Sequence, residues 1–285
     1  MKKKLTAGLL VGAMAVSLSG CGASKTEEAP AAGNSAAEET AEAEPVTLNV
    51  FAAASMTETL TEIQKMYEDV APNVTLVFNF DSSGTLKTQI QEGADCDLFI
   101  SAAQKQMNQL DKDADLEANT EGLDYVLEGT RVNLLENKVV LAVPDGNPKD
   151  IESFEDLGTD RLSLLALGNE DVPVGQYSIE ILTNLGILDS LEAEGKITYG
   201  SNVKEVTTQV SEAAADAGII YATDAFSAGL TVVDQAEGDL CKQVIYPAAV
   251  LNISRNPEAA KEFLAYLQTD TCMQVFEAVG FTAAE

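Results

Sequence analysis

The sequence predicts an α/β protein built of two lobes. Short β-rich runs alternate with helical runs through residues 46–285, a pattern typical of strands and helices packed in layers. Two such series occur, and an acidic, glycine-containing stretch at 111–130 separates them. With 285 residues, of which 46 % are hydrophobic, the chain is long enough to bury the cores of two lobes.

The first series predicts a parallel sheet, because a helical run follows each of its first two strands and connects it to the next. The predicted strands are Val46–Ala52, Val74–Phe80 and Asp97–Ser101, and the predicted helices are Met56–Tyr67 and Thr85–Gln91.

The second series has the same character and ends in two closing helices. In its Val203–Ala215 run, Val203, Val206 and Val210 fall on one helical face, which indicates a helix packed on a core. The predicted strands are Lys138–Val143, Leu162–Leu167, Gly218–Ala222 and Gln243–Leu251, and the helices are Tyr177–Leu185, Val203–Ala215, Pro257–Leu267 and Thr271–Val279.

The N-terminal residues 1–21 have the pattern of a secretory signal peptide. Lys2, Lys3 and Lys4 precede an apolar run from Leu5 to Leu18, which is too short and wrongly flanked for a membrane-spanning helix. The tetrapeptide Leu18-Ser19-Gly20-Cys21 resembles the bacterial lipobox, in which the cysteine becomes the lipidated first residue of the mature protein. We therefore expect Cys21 to carry a lipid anchor.

Residues 22–45 are expected to form a disordered acidic tether. They consist mainly of alanine, glutamate, serine and proline, and they cannot bury enough apolar surface to offset the entropy lost on ordering.

The chain is strongly acidic, with a formal charge of −29 that becomes −32 once Lys2, Lys3 and Lys4 are removed with the signal. This charge makes nucleic acid an unsuitable partner. It would also repel an anionic ligand at long range, so any anion site must depend on short-range donors.

Metal and redox chemistry find little support in the sequence. The chain has no histidine, and Cys96, Cys241 and Cys272 show none of the close spacings of zinc or redox motifs. No cofactor and no cation site are expected. Three buried free thiols are the favoured interpretation, and a Cys241–Cys272 disulfide is the alternative.

Four places share one design, in which a strand or loop of small residues leads into the start of a helix. Helix starts offer unpaired amides and about +0.5 elementary charge each, so four of them nominally match a dianion without any basic side chain. They are Ser55, with Glu58 at capping-box spacing, Ser82-Ser83-Gly84-Thr85, Pro173-Val174-Gly175 and Ser201-Asn202-Val203.

Each of these features also has a purely structural interpretation. Ser55 alone is most simply a helix cap, Ser82-Ser83-Gly84 a turn, and Tyr221 a core aromatic residue. An enzyme that uses the acidic pair Glu170 and Asp171 is a further alternative, although no nucleophile with an accompanying base is evident.

In their order along the chain, these motifs resemble the molybdate-binding (substrate-binding) proteins of bacterial ABC transporters. The resemblance extends over nearly all of residues 46–285. The stretches that carry it are Val50-Phe-Ala-Ala-Ala-Ser55, Ser82-Ser83-Gly84-Thr85-Leu86, Asp97-Leu-Phe-Ile-Ser-Ala102, Asp171-Val-Pro-Val-Gly175 with Tyr177, Val203, Gly218-Ile-Ile-Tyr221 with Thr223-Asp224-Ala225, and Tyr246-Pro247-Ala248.

The resemblance implies five contacts to a tetrahedral oxyanion. Ser55 and Ser83 would contribute hydroxyls and amides from one lobe. The amides of Val174 and Val203 and the hydroxyl of Tyr221 would come from the other. Val174 stands where the family often has alanine, a difference without effect if only the amide binds.

The resemblance also implies a type II periplasmic-binding-protein fold, with two α/β lobes, two crossovers and a ligand cleft. Residues 46–134 and 245–285 would form lobe 1, and residues 135–244 would form lobe 2. The implied function is that of a monomeric, lipid-anchored, extracytoplasmic protein, not an enzyme, that delivers molybdate and tungstate to a membrane permease. A binding protein for sulfate, phosphate or an organic acid is the alternative.

Overall fold

Two β-sheets organise the folded part of the chain. The computed structural model describes residues 44–284. The strands are β1 Val46–Ala53, β2 Val74–Asp81, β3 Leu98–Ile100, β4 Val132–Asn137, β5 Val139–Val143, β6 Leu165–Gly168, β7 Ile197–Gly200, β8 Ala217–Tyr221, β9 Thr231–Gln235, β10 Val244–Val250 and β11 Thr282–Ala283. The predicted signal peptide, Cys21 and nearly all of the predicted tether lie outside the described residues.

Helices cover both sheets. Two short 3₁₀ helices, Ala54–Met56 and Phe154–Gly158, accompany the α-helices. The α-helices are α1 Thr57–Val70, α2 Ser83–Gln91, α3 Gln104–Asn108, α4 Pro173–Asn184, α5 Leu188–Ala193, α6 Val203–Ser211, α7 Ala222–Ala228, α8 Pro257–Leu267 and α9 Asp270–Glu277.

Each sheet is the centre of one lobe. The first has the strand order β11-β4-β10-β3-β1-β2 and the second has the order β7-β6-β8-β5-β9. Helices α1 and α2 pack on the first sheet, and α4, α6 and α7 pack on the second. Strands β5, β6 and β8 are buried along their whole length, as expected for the middle of a covered sheet. The two-lobed α/β fold class predicted from the sequence is confirmed.

Every predicted strand and helix overlaps an observed one, and the three strands of the first predicted series are parallel as expected, but each complete sheet is mixed. β1 pairs in parallel with β2 and β3, whereas β10 runs antiparallel to β3 and β4. In the second sheet, β5 runs antiparallel to β8. The sheets are mixed because some strands enter a sheet from the other lobe.

The chain crosses between the sheets twice. It passes from β4 to β5 at Lys138, and it returns through residues 236–243, between β9 and β10. The predicted lobe limits at 134/135 and 244/245 fall inside β4 and β10. We therefore propose that the lobes divide at the two crossings.

The described cysteines are all buried free thiols, as the favoured interpretation expected. Burial raises the pKa of Cys241 to about 11, so its thiol is a poor nucleophile in the folded protein. We expect labelling of the unfolded, unreduced protein to modify Cys96, Cys241 and Cys272. Mass spectrometry that finds Cys241 and Cys272 modified only after reduction would instead establish the disulfide.

Within residues 44–284, none of the helices has the length and apolar character needed to cross a lipid bilayer. The same residues contain no group of three or more cysteine, aspartate or glutamate side chains placed to hold a cation.

Candidate functional site

A small cavity lies between the two lobes, where several helices begin. Its volume is about 10 Å³, far below the roughly 300–1,000 Å³ of pockets for drug-sized ligands. Its walls come from both lobes and contain no lysine or arginine. The lining residues are Ala53, Ala54, Ser55, Asp81, Ser82, Ser83, Ala102, Val172, Pro173, Val203 and Tyr221.

Four of the five predicted contact residues, Ser55, Ser83, Val203 and Tyr221, line this cavity. The fifth, Val174, is not part of the lining, but it directly follows Pro173, which is. Each of these residues lies at or beside a helix start, so the orphan amides and partial positive charges of several helices surround one small space.

The two neighbouring serines at the start of α2 have different roles. Ser82 is the helix cap: its Oγ accepts from the Thr85 amide at 3.1 Å and donates to the Thr85 hydroxyl at 2.8 Å. The Oγ of Ser83 accepts from the Ala102 amide at 2.9 Å. Among residues 44–284 the structure shows no acceptor for the Ser83 hydroxyl proton, so this group can still donate.

Ser55 is not the helix cap that its spacing to Glu58 suggested. It lies within the 3₁₀ turn Ala54–Met56, and α1 starts after it without a side-chain cap. Its Oγ lies 2.8 Å from the hydroxyl of Tyr246 on β10. The Asn137 amide donates to the same Tyr246 hydroxyl at 3.2 Å and to Thr223 Oγ1 at 2.9 Å.

Tyr246 therefore positions Ser55. Because the Tyr246 oxygen already accepts from Asn137, its proton can point to Ser55 Oγ, and this leaves the Ser55 proton free for a ligand. In the sequence, Tyr246 stands out only as part of the family pattern, and that pattern does not indicate its contact with Ser55.

In the second lobe, the two predicted ligand amides lie at the starts of two helices. Val203 is the first residue of α6. The side chain of Asn202, which caps this helix, accepts a hydrogen bond from the Glu205 amide and not from the Val203 amide. Val174 is the second residue of α4, after Pro173, which has no amide proton of its own. The first amides of a helix have no partner within it, so both Val174 and Val203 keep a donor for a ligand.

Tyr221 supplies a hydroxyl from the second lobe. Its side chain is only 1 % exposed, and its oxygen lies 3.5 Å from the Ala102 carbonyl of the first lobe, too long for a strong hydrogen bond. Burial, with smaller effects from Tyr246, Tyr177 and Asp224, raises the pKa of Tyr221 well above its ordinary value. The hydroxyl therefore stays protonated and remains a donor.

Three carboxylates lie close to the cleft, and the one that lines the cavity accepts two hydrogen bonds. Asp81 lines the cavity, and its Oδ1 accepts from the Ser82 amide at 2.7 Å and from the Asn202 side chain at 3.4 Å. Glu170 and Asp171 are exposed and outside the lining, as expected if they point to solvent. Sequence reasoning missed Asp81, which carries no motif of its own.

The lobes also touch each other directly around the cavity. The Gly84 amide of the first lobe donates to the Asp171 carbonyl of the second at 3.0 Å. Asn202 reaches Asp81, as described above, and Lys204 of α6 pairs with Glu58 of α1 at 2.7 Å. The structure is therefore that of a closed cleft.

Known proteins match this chain over almost all of its folded part. The pattern of the bacterial extracellular solute-binding protein family matches residues 48–282. The chain is 34 % identical over 241 residues to the molybdate-binding protein ModA of Haemophilus influenzae, an alignment that covers 83 % of this chain and 90 % of the relative.

Two further likenesses agree. YvgL of Bacillus subtilis, assigned provisionally as an ABC transporter substrate-binding lipoprotein, is 38 % identical over 240 residues, covering 84 % of this chain and 87 % of YvgL. The periplasmic molybdate-binding protein of Azotobacter vinelandii has the same fold, with a TM-score of 0.72 at 22 % identity, over 84 % of this chain and all of that one. The chain thus belongs to the bacterial extracellular solute-binding proteins, a family of transport components rather than enzymes.

Proposed function

We propose that this protein captures molybdate, and tungstate equally, in the interlobe cavity and delivers it to an ABC permease. The hydroxyls of Ser55, Ser83 and Tyr221 and the amides of Val174 and Val203 would hold the oxyanion. The observation that carries the proposal is that a small cavity has neutral donors at helix starts in its lining, no basic residue, and Asp81 as its one carboxylate. The similarity to molybdate-binding relatives supports the choice of ligand.

We expect the ligand to close the cleft, because its hydrogen-bond donors belong to both lobes. An oxyanion that contacts Ser83 and Val203 together binds the closed state better than the open one, and so shifts the population toward closure. Nothing in this cycle requires a catalytic step or a cofactor. The alternative enzyme based on Glu170 and Asp171 has weak support, because both residues are exposed outside the cavity.

Selectivity would come from size. Sulfate is smaller than molybdate and cannot reach all donors of a closed ring at once, and each buried donor left unpaired costs about 1–3 kcal/mol. Tungstate is nearly the same size as molybdate and should bind equally well. Phosphate is also smaller than molybdate and should lose donors in the same way as sulfate, although its protonated form could donate to the Asp81 carboxylate at the cavity wall.

We expect molybdate and tungstate, but not sulfate or phosphate, to raise the melting temperature. A ligand at 100 times its dissociation constant stabilises the folded state by about 2.7 kcal/mol. Thermal-shift assays with the four anions and with divalent cations, at matched ionic strength, would measure this. A shift with sulfate or phosphate alone would favour another oxyanion, and a shift with cations alone would favour the enzyme.

We also propose that Cys21 carries a lipid that anchors the protein, as a monomer, to the outer face of a bacterial membrane. Each buried CH₂ of an acyl chain contributes about 0.8 kcal/mol to membrane binding. The lipobox-like tetrapeptide supports this proposal, and so does the lipoprotein assignment of the Bacillus subtilis relative.

A further inference from the structure

We propose that an ion pair between Glu58 and Lys204, outside the ligand cavity, helps to hold the cleft closed and so strengthens ligand binding. It is called the Glu58–Lys204 bridge below. The proposal rests on the proposed function only in that an anion closes the cleft, and it assigns an affinity-determining role to two residues that do not touch that anion.

The bridge connects the lobes directly. Lys204 is the second residue of α6 in the second lobe, and Glu58 is the second residue of α1 in the first. The Lys204 Nζ lies 2.9 Å from Oε1 and 2.7 Å from Oε2 of Glu58, so both carboxylate oxygens contact the ammonium group. Lys204 directly follows Val203, which lines the cavity, so the bridge lies close to the proposed site.

A third residue fixes Lys204 in place. The Asp224 carboxylate, on α7 of the same lobe as Lys204, is fully buried and lies 3.0 Å from the Lys204 Nζ. Within residues 44–284, neither Asp224 oxygen has a hydrogen-bond partner by strict geometry, so the ammonium is its main compensation. Burial raises the pKa of Asp224 to about 6, although Lys204 opposes this shift.

Lys204 stays charged in this environment. Burial lowers its pKa, but the carboxylates of Asp224 and Glu58 outweigh that effect, and the net pKa is raised. Because Asp224 already holds the lysine side chain, closure adds the contact to Glu58 with little further loss of side-chain entropy. Opening the cleft separates Glu58 from Lys204 and leaves the buried Lys204–Asp224 pair intact.

The bridge does not act as an attractive charge for the ligand. Lys204 does not line the cavity, and with one ammonium and two carboxylates the group carries a net negative charge. A long-range electrostatic role and a closing role therefore predict opposite signs for one substitution. Replacing Glu58 with glutamine removes a negative charge and frees Lys204, which would strengthen anion binding by electrostatics but weaken it if the bridge closes the cleft.

The test compares Glu58→Gln with Glu62→Gln in the full chain. Glu62 lies one turn further along α1 and is exposed, so the control makes the same change of charge on the same helix. We expect calorimetric titration with molybdate to give a dissociation constant about three- to fivefold higher for Glu58→Gln than for the control. Raising the ionic strength should weaken binding by the control more than by Glu58→Gln, because salt screens the bridge.

Equal or tighter binding by Glu58→Gln than by Glu62→Gln would overturn the proposal. Thermal unfolding of the ligand-free variants measures folding stability separately, since Glu58, unlike Glu62, lies in the first turn of α1 and its charge also favours the helix. If the control binds neither molybdate nor tungstate, the proposed function fails. Small-angle scattering of the ligand-free chains then tests whether the Glu58–Lys204 bridge holds the cleft closed. A larger radius of gyration for Glu58→Gln would then support it, and equal radii would overturn it.

Discussion

Replacing Gly84 with alanine is expected to weaken molybdate binding by about 5- to 150-fold, the range for a steric cost of about 1–3 kcal/mol. A Cβ at this position would lie 2.4 Å from the Asp171 carbonyl oxygen and 2.8 Å from the Asp171 Cα. These are backbone atoms of the opposite lobe, so no side-chain rotation relieves the clash. The Gly84 amide also donates to this carbonyl, and that bond requires the same close approach.

In the ligand-free protein, Gly84→Ala should not be harmful and should leave the stability of the fold unchanged or higher. Gly84 lies in the first turn of α2, and glycine is less favourable in a helix than alanine by up to about 1 kcal/mol. In the open state, Asp171 has moved away and only the helix preference remains. We therefore expect Gly84→Ala to keep or raise the melting temperature of the ligand-free protein while it lowers affinity.

Calorimetric titration and thermal unfolding of Gly84→Ala, beside Gly238→Ala, would measure both effects. A Cβ added at Gly238 would meet only open space, and this glycine lies outside the site, so its substitution should change neither quantity by much. Unchanged affinity in Gly84→Ala would contradict the prediction, because the ligand-bound form would then not need the Gly84–Asp171 contact. A large parallel loss of stability would instead indicate general damage to the fold.

Local signals in the sequence predicted most of the elements but misjudged Ser55. A serine three residues before a glutamate is typical of a helix cap, yet the Ser55 hydroxyl lies against Tyr246, 191 residues further along the chain. A contact between residues so far apart leaves no local pattern. Ser82 and Ser83 are easily confused in the sequence, and the choice of Ser83 rested on the family resemblance; the structure gives Ser82 the role of capping α2.

Features that depend on how the two lobes come together could not be predicted from local sequence patterns either. The antiparallel placement of β10 depends on the return of the chain from the second lobe, and the Gly84–Asp171 contact depends on closure. Gly84 was quoted from the sequence only as part of a turn and of the family pattern. What requires a glycine there is the opposite lobe, since alanine would suit the helix better.

Ser83→Ala and Tyr221→Phe should each weaken molybdate binding by about 1.5–3 kcal/mol, the range for a hydrogen bond to a charged group. Each change removes one donor while the rest of the cavity is retained. Ser83 Oγ also accepts from the Ala102 amide, so Ser83→Ala leaves that amide unpaired as well. Removing the Tyr221 hydroxyl breaks only a weak contact to the Ala102 carbonyl, so Tyr221→Phe is the cleaner measure of a ligand contact.

Ser82→Ala is the matched control, because the adjacent serine loses the same atom without losing a proposed ligand contact. Its hydroxyl caps α2, so the change should cost about 0.5–2 kcal/mol of stability with little loss of affinity. Titration calorimetry and thermal unfolding of the three variants would therefore separate capping from binding. If Ser82→Ala lost affinity and Ser83→Ala did not, the ligand contact would belong to Ser82, and the free Ser83 proton would be without a role in binding.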